Sequence, residues 1–162
     1  MNIRPARLEE APLIKELIHE LAIYEKAPES AQATLAQIEG AFFADHPAVF
    51  CDFVEDDSGE VVGFAIWFLN YSTWTGTHGI YLEDLFIRPE ARGKGYGKAV
   101  LAHLSRICVQ RGYHRLQWWV LDWNTDAIGF YQGLGAVLMD EWTVMRVDGE
   151  ALTAISALGS QE

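Results

Sequence analysis

The stretch of sequence that decides the fold reads GIYLEDLFIRPEARGKGYGKAVLAHLSRICVQRG and covers residues 79–112. Gly79–Arg88 is rich in apolar and aromatic residues, which predicts a strand, and Pro89 ends it because proline cannot continue a sheet ladder. Gly97–Arg111 predicts a helix capped by Gly112, since apolar residues recur in it at helical spacing. These residues are Val100, Leu101, Leu104 and Cys108. The stretch is therefore expected to form a strand, a glycine-rich loop and a helix.

The loop between this strand and this helix has the chemistry of a phosphate-binding site. Alternate glycines at positions 93, 95 and 97 allow backbone N–H groups to come close to a ligand. The helix that follows adds free N–H donors and the positive end of its dipole. Three cations lie in the same segment: Arg92, Lys94 and Lys98. We therefore expect a pyrophosphate cradle, with a glycine-rich turn carrying solvated lysines as the alternative.

Two common phosphate-binding motifs do not fit this loop. A Walker loop requires GxxxxGK followed by Ser or Thr, whereas Gly97 and Lys98 are followed by Ala99. A dinucleotide-binding fold requires GxGxxG in the first strand–helix unit, whereas the glycines here read GxGxG and lie well inside the chain. Both of these motifs are therefore disfavoured.

The rest of the chain supplies the other layers of an α/β fold with a mixed sheet. The expected elements are a strand at Asn2–Ala6, helices at Leu8–Lys26 and Thr34–Phe43, an antiparallel hairpin of Ala48–Glu55 and Val61–Asn70, a strand at Tyr113–Leu121, a helix at Asn124–Gln132, one or two strands within Val137–Val147 and a terminal helix after Asp148. Three consecutive strands followed by a strand–helix–strand unit predict a mixed sheet flanked by helices. The apolar strand Tyr113–Leu121 is expected at an interior position. The length of 162 residues fits one domain, 1–162.

Composition and charge exclude several classes of protein. The chain has 12 Lys and Arg residues against 23 Asp and Glu residues, a net charge of −11, which argues against nucleic acid or an anionic membrane as partner. No apolar run approaches the roughly 18 residues of a membrane helix. The start MNIRPARLEE lacks the apolar stretch of a signal peptide, so we expect a cytoplasmic protein. Cys51, Cys108 and the histidines lack metal-site spacing, so we expect no metal.

Residues 92–97, RGKGYG, resemble the (Q/R)xxGxG/A motif of the GNAT acetyltransferase superfamily. Further segments resemble its spermidine/spermine (diamine) acetyltransferase-like branch: LAIYE at 21–25, VGFA at 62–65, YLED at 81–84, WN at 123–124, FY at 130–131 and GA at 135–136. The likeness extends from Ile3 to about Val147. It implies a central mixed β-sheet flanked by helices, with acetyl-CoA as cosubstrate.

The resemblance also implies which residues hold the coenzyme. They are Leu85, Phe86, Ile87, Arg92, Gly93, Lys94, Gly95, Tyr96, Gly97, Lys98, Asn124, Ala127 and Tyr131. The glycine loop would hold the pyrophosphate, and backbone groups of Leu85 and Ile87 would meet the pantetheine arm. The Leu85 N–H would polarise the thioester carbonyl. Asn124 would bind the same arm, with helix capping as the alternative.

Two residues are the catalytic candidates. Tyr131 is placed by the resemblance beside the coenzyme sulfur, where a phenol that stays protonated at neutral pH can act as general acid. Glu83 and Asp84 are acids inside an apolar strand, and buried carboxylates require a partner or a function. We assign Glu83 to proton removal through water and Asp84 to a substrate or structural hydrogen bond. The family's strand is bulged at this point, which would change the side to which each acid points.

The acceptor is expected to be a small cationic amine. The candidate substrate-binding residues are Tyr24, Glu25, Trp74, Glu83, Asp84, Gln117, Trp118 and Trp119, since aromatic faces and carboxylates attract cations. After Ala136 the chain is shorter and less acidic than the polyamine enzymes, so enzymes acting on thialysine or other small primary amines are equally good models. The resemblance also implies a homodimer. The alternatives are an acetyltransferase acting on protein amines and a non-catalytic acyl-CoA sensor.

Overall fold

The computed structural model of the protein describes residues 1–158. Its strands are β1 (Asn2–Pro5), β2 (Val49–Glu55), β3 (Val61–Ser72), β4 (Thr77–Ile87) and β5 (Leu116–Gln117). Its helices are α1 (Ala11–Tyr24), α2 (Leu35–Phe42), α3 (Tyr96–Arg111), α4 (Thr125–Gly133) and α5 (Gly149–Ser156). Single 3₁₀ turns at Leu8–Glu10, Pro28–Ser30 and Pro89–Ala91 connect some of them.

The strands form one mixed sheet in the order β1-β2-β3-β4-β5. The first four strands pair antiparallel with their neighbours, and β5 pairs parallel with β4. The expected hairpin, mixed sheet and parallel crossover through α3 are thereby confirmed. Phe53 lies opposite Phe64, and Phe64 lies opposite Phe86, so that three phenylalanines cross the sheet side by side.

The main hydrophobic core lies between the sheet and the first two helices. Buried residues of α1 and Ile38 of α2 pack against one face of β2, β3 and β4. The sheet contributes Cys51, Phe53, Phe64, Ile66 and Phe86, and α1 contributes Ala11, Ile14, Leu17 and Leu21. Both Phe53 and Phe64 are fully buried, and burying a side chain of this size stabilises a fold by about 1.5–3 kcal/mol.

Helix α3 covers the opposite face. Side chains alternate along a strand, so Asp52 points away from the face that holds Cys51 and Phe53. The His103 Nε2 of α3 lies 3.5 Å from the Asp52 Oδ2, and Trp67 Nε1 donates a hydrogen bond of 2.8 Å to the same oxygen. The helix ends as expected at Gly112, which has a left-handed φ of 68°.

Two expectations for the C-terminal third are wrong. The strand expected at Tyr113–Leu121 pairs only at Leu116 and Gln117, and it lies at the sheet edge and not in the interior. Its pairing with β4 stops at Tyr81, two residues before an irregularity at Glu83 that disrupts the ladder. Residues 137–147 form no strand, because none of the described strands pairs with them, and strand propensity is realised only against a neighbour.

The contacts divide the chain into two compact units, Met1–Trp119 and the residues from Val120 onward. The first unit contains the sheet and helices α1, α2 and α3, and the second contains α4 and α5. No described helix is long and apolar enough to cross a membrane. Within residues 1–158, no group of three or more His, Cys, Asp or Glu side chains is arranged to hold a metal ion.

Candidate functional site

A β-bulge in β4 gives two adjacent acids different surroundings. Ile66 pairs with Asp84 and Trp67 pairs with Leu82, which leaves Glu83 as the extra residue. The Glu83 side chain is exposed, whereas that of Asp84 is half-buried. Burial, together with the negative charges of Glu83 and Glu25, raises the pKa of Asp84 to about 7. The sequence places both acids in one strand, and the bulge makes one a solvated carboxylate and the other a group that titrates near neutral pH.

A third carboxylate lies near the bulge, at the end of α1. Glu25 directly follows this helix, and its charge contributes to the raised pKa of Asp84. Partial desolvation also raises the pKa of Glu25. We call Glu25, Glu83 and Asp84 the acidic site. Such a group of carboxylates attracts a cation and offers proton acceptors for it, since like charges in one place raise one another's pKa.

The glycine loop has the backbone conformation that its sequence predicts. Gly93 and Gly95 have φ values of 77° and 85°, in the left-handed region that side chains disfavour. Helix α3 begins at Tyr96, and the first N–H groups of a helix have no acceptor within it. Lys94 and Lys98 are exposed beside these donors. The loop therefore offers backbone N–H groups, a helix dipole and two cations to an anion.

The Arg92 side chain differs from the other cations of the loop. Its Nε donates a hydrogen bond of 2.9 Å to the Ile87 carbonyl, and its guanidinium carbon lies 4.3 Å from the centre of the Tyr24 ring. The same group is 5.7 Å from the Phe86 ring. Arg92 thus connects the loop to α1 and to the end of β4.

The edge of β4 that faces β5 is open next to the acidic site. Leu85, Phe86 and Ile87 pair with β3 on the other side, at Ala65, Phe64 and Gly63. Within residues 1–158, no strand pairs with the outer edge of β4 beyond Tyr81. Backbone groups on this edge can therefore bond to an extended ligand in the manner of an added strand.

The aromatic candidates occupy two places. The Trp119 ring lies 5.8 Å from that of Tyr81 in an edge-to-face arrangement, and Asn70 Nδ2 donates a bond of 3.3 Å to Gln117 Oε1. Trp118, which lies between Gln117 and Trp119 in the sequence, is half-buried. Trp74 lies in the turn between β3 and β4 and is 90% exposed, so it is not packed into a pocket wall.

The candidates of the second unit lie in α4. The Asn124 side chain accepts a hydrogen bond of 3.4 Å from the Ala127 N–H, which is the helix-capping arrangement. Tyr131 is half-buried, and its ring centre is 5.3 Å from that of Phe130. The helix ends at the turn in which the Ala136 N–H donates to the Tyr131 carbonyl. The roles given to these residues in coenzyme binding and proton transfer remain predictions.

Two features of the site were not predicted from the sequence. One is the contact of Arg92 with Tyr24, which joins segments far apart in the chain. The other is the nearness of Glu25 to Asp84, which are far apart in the sequence and are brought together by the fold. The acids themselves were recognisable, because a carboxylate in an apolar segment requires an explanation.

Comparisons with known proteins agree on one family. The model of the acetyltransferase (GNAT) family matches residues 13–136. The L-ornithine N5-acetyltransferase of Arabidopsis thaliana is 31% identical over 201 residues, covering 97% of this chain and 88% of that protein. The thialysine N-epsilon-acetyltransferase of Bos taurus is 34% identical over 164 residues, covering 95% and 96%. An integron cassette protein from V. cholerae has a similar structure, with a TM-score of 0.80, 25% identity and 96% of each chain covered.

Proposed function

Because the chain belongs to the GNAT acetyltransferase family, we propose that it transfers the acetyl group of acetyl-CoA to a primary amine of a small cationic substrate. The observation that carries this proposal is the acidic site at the β4 bulge. In a chain that binds an anionic coenzyme at a cationic loop, a separate group of carboxylates suits a second substrate of opposite charge.

The coenzyme would be held by backbone groups and cations of the first unit. The N–H groups of the glycine loop and of the first turn of α3 would bind the pyrophosphate, helped by Lys94 and Lys98. The open edge of β4 would bond to the pantetheine arm through Leu85 and Ile87. Asn124, Ala127 and Tyr131 complete the proposed set of coenzyme-binding residues.

The reaction is attack of a neutral amine on the thioester carbonyl, in which a C–N bond forms and the C–S bond breaks. Glu83 would accept the proton of the amine through water, since its side chain is exposed to solvent. The Leu85 N–H would donate to the carbonyl oxygen as its negative charge develops. Tyr131 would give its proton to the departing thiolate.

The acceptor is best described as an ornithine-like, lysine-like or diamine substrate. Two of the most similar relatives carry the names of ornithine and thialysine acetyltransferases. Each of those molecules presents a primary amine on a short chain with further charged groups. Asp84 and Glu25 would bind the cationic end, and the aromatic rings of Tyr24, Trp118 and Trp119 would line the pocket with Gln117.

Homodimer formation and a cytoplasmic location are further parts of the proposal. The homodimer rests on the family resemblance alone. Cys51 and Cys108 are buried free thiols, which suits a reducing compartment.

The test is thiol release from acetyl-CoA in the presence of a panel of amines. The panel contains ornithine, thialysine, lysine, diamines, spermidine and a peptide with an acidic tail. We expect turnover of the small cationic amines, with rates rising from about pH 7 to 9 as the amine and Asp84 lose protons. The Glu83→Gln variant should have lower rates on the alkaline side of this range, because it lacks the proposed proton acceptor, and Asp57→Asn, in the exposed β2–β3 turn, serves as a matched control. Preference for the peptide, or coenzyme binding without turnover, would overturn the proposal.

A further inference from the structure

Arg92 joins the two regions that the proposed reaction uses. Its Nε–H donates to the carbonyl of Ile87, the last residue of β4, over 2.9 Å. Its guanidinium lies over the Tyr24 ring at 4.3 Å, within the range of a cation–π interaction. Tyr24 is the last residue of α1 and precedes Glu25, a member of the acidic site. One side chain of the glycine loop thus contacts the segment that carries Glu25, a carboxylate proposed to bind the amine.

The contact with Tyr24 belongs to a larger aromatic cluster. The Tyr24 ring is 6.4 Å from that of Phe86, and Phe86 is 6.3 Å from Phe64 in the core. Phe86 is itself within 5.7 Å of the Arg92 guanidinium. Tyr24 therefore lies next to both a buried ring and a cation whose position depends on the loop.

We propose that Arg92 is a positioning residue that couples the glycine loop to the acidic site, so that a coenzyme bound at the loop strengthens binding of the amine. The inference rests on the proposed function. The role of Arg92 then differs from that of Lys94 and Lys98, whose exposed ammonium groups are available to phosphate oxygens. Coupling of this kind is reciprocal, so the amine strengthens coenzyme binding by the same factor.

The guanidinium is suited to this part because it is planar. It donates from Nε along one edge while its face lies on an aromatic ring, which the compact ammonium of lysine cannot do. A phosphate bound at the loop would hold Arg92 in the place against Tyr24 that it has in this structure, and would thereby fix the end of α1 with Glu25. A cation–π contact at an exposed position has a strength that corresponds to about two- to fivefold in an equilibrium constant.

The experiment measures amine affinity by titration calorimetry with and without saturating coenzyme A, which occupies the loop but cannot donate an acetyl group. Ornithine is the amine probe. In the wild-type protein we expect coenzyme A to tighten ornithine binding by about two- to fivefold. Arg92→Gln and Arg92→Lys should abolish most of this tightening, as should Tyr24→Leu, while Tyr24→Phe should keep it because the ring remains.

Lys94→Gln is the matched control, since it removes an exposed cation of the same loop. It should weaken coenzyme A binding and leave the tightening factor unchanged. Thermal unfolding of each variant identifies any loss of fold. If Arg92→Gln lowers coenzyme affinity but retains the full factor, the positioning part is wrong while the proposed function stands. If the wild-type protein binds ornithine and coenzyme A but acetylates no amine, the proposed function fails, whereas the coupling factor is still measured.

Discussion

The glycine loop and the acidic site differ in how they use the polypeptide. The loop binds through its backbone: Gly93 and Gly95 adopt left-handed φ values, and the helix that follows presents N–H groups. The acidic site binds through side chains, and a bulge gives Glu83 and Asp84 different exposure. The loop is open and positive, whereas the acidic site is partly desolvated and negative.

This difference indicates what each region can discriminate. A backbone cradle recognises the phosphate geometry common to many nucleotides, so the loop fixes the coenzyme and says little about the acceptor. Partly buried carboxylates penalise an anion and reward a cation, so the acidic site selects the acceptor. The two regions lie at opposite ends of the last segment of β4, and a substitution in one should leave the other's ligand preference intact.

The largest effect is expected from a residue that belongs to neither region. Tyr131→Phe removes the proposed general acid and should lower kcat by about 10²- to 10⁴-fold, because the proton is needed only in the transition state. The KM for acetyl-CoA should change far less. Steady-state kinetics at pH 7.5 measure both, with Tyr113→Phe, a half-buried tyrosine of the first unit, as the control. A Tyr131→Phe enzyme with nearly full kcat would assign this tyrosine to packing.

A side chain in the loop should give the next largest effect. Gly95 has a φ of 85°, and a β-branched residue there is strained even though the surrounding space is open. Gly95→Val should weaken acetyl-CoA binding by about 10- to 100-fold and leave amine binding to the free enzyme unchanged. Calorimetry of each ligand measures this separation, and Gly59→Val, another glycine with a left-handed φ, in the β2–β3 turn, reports strain alone. If the folded Gly95→Val variant bound acetyl-CoA as tightly as the wild-type protein does, the assignment of the loop to the coenzyme would be contradicted.

The two regions also differ in how far the sequence predicts them. The loop and its flanking elements are local, so glycines, cations and helical spacing within residues 79–112 suffice. The bulge was expected only from the resemblance to known enzymes, since no local pattern marks it. The contact of Arg92 with Tyr24 depends on the packing of α1 against β4. No local pattern in the loop or in α1 indicates that these two residues meet.

Strands are predicted less well than this loop because their existence depends on a partner. The strands expected at Ala48–Glu55 and Val61–Asn70 are confirmed as β2 and β3, and each has antiparallel neighbours on both sides. Tyr113–Leu121 has the composition of a buried strand, yet only Leu116 and Gln117 pair, because β4 becomes irregular at Glu83. Composition therefore predicts that a segment prefers the extended conformation. The regularity of the neighbouring strand decides how many of its residues pair.

A smaller effect is expected from neutralising Asp84, the half-buried member of the acidic site. Asp84→Asn should weaken amine binding by about tenfold, in line with loss of one charge-assisted contact. It should also change stability with pH. The folded-state pKa of Asp84 is raised from 3.8 to about 7, so its contribution to stability falls as the pH rises through that window.

Urea unfolding at pH 5 and at pH 8 measures this change. Part of the shift is already expressed at pH 5, so the variant should gain about 2–3 kcal/mol in stability relative to the wild-type protein between the two pH values. Glu83→Gln, which removes the exposed neighbour, should show a much smaller gain. An equal difference between Asp84→Asn and the wild-type protein at both pH values would contradict the assignment of a raised pKa to this carboxyl.

The central claim is that the acidic site receives a cationic amine, and a pair of matched acceptors tests it most directly. 1,4-Diaminobutane and 4-aminobutanoate have the same chain length and the same reacting amine, but one ends in an ammonium and the other in a carboxylate. The measurement is kcat/KM for each with saturating acetyl-CoA at pH 8, in the wild-type protein and in Asp84→Asn. We predict at least about a tenfold preference for the diamine, which Asp84→Asn reduces. Equal turnover of the two acceptors, or faster turnover of 4-aminobutanoate, would contradict the account.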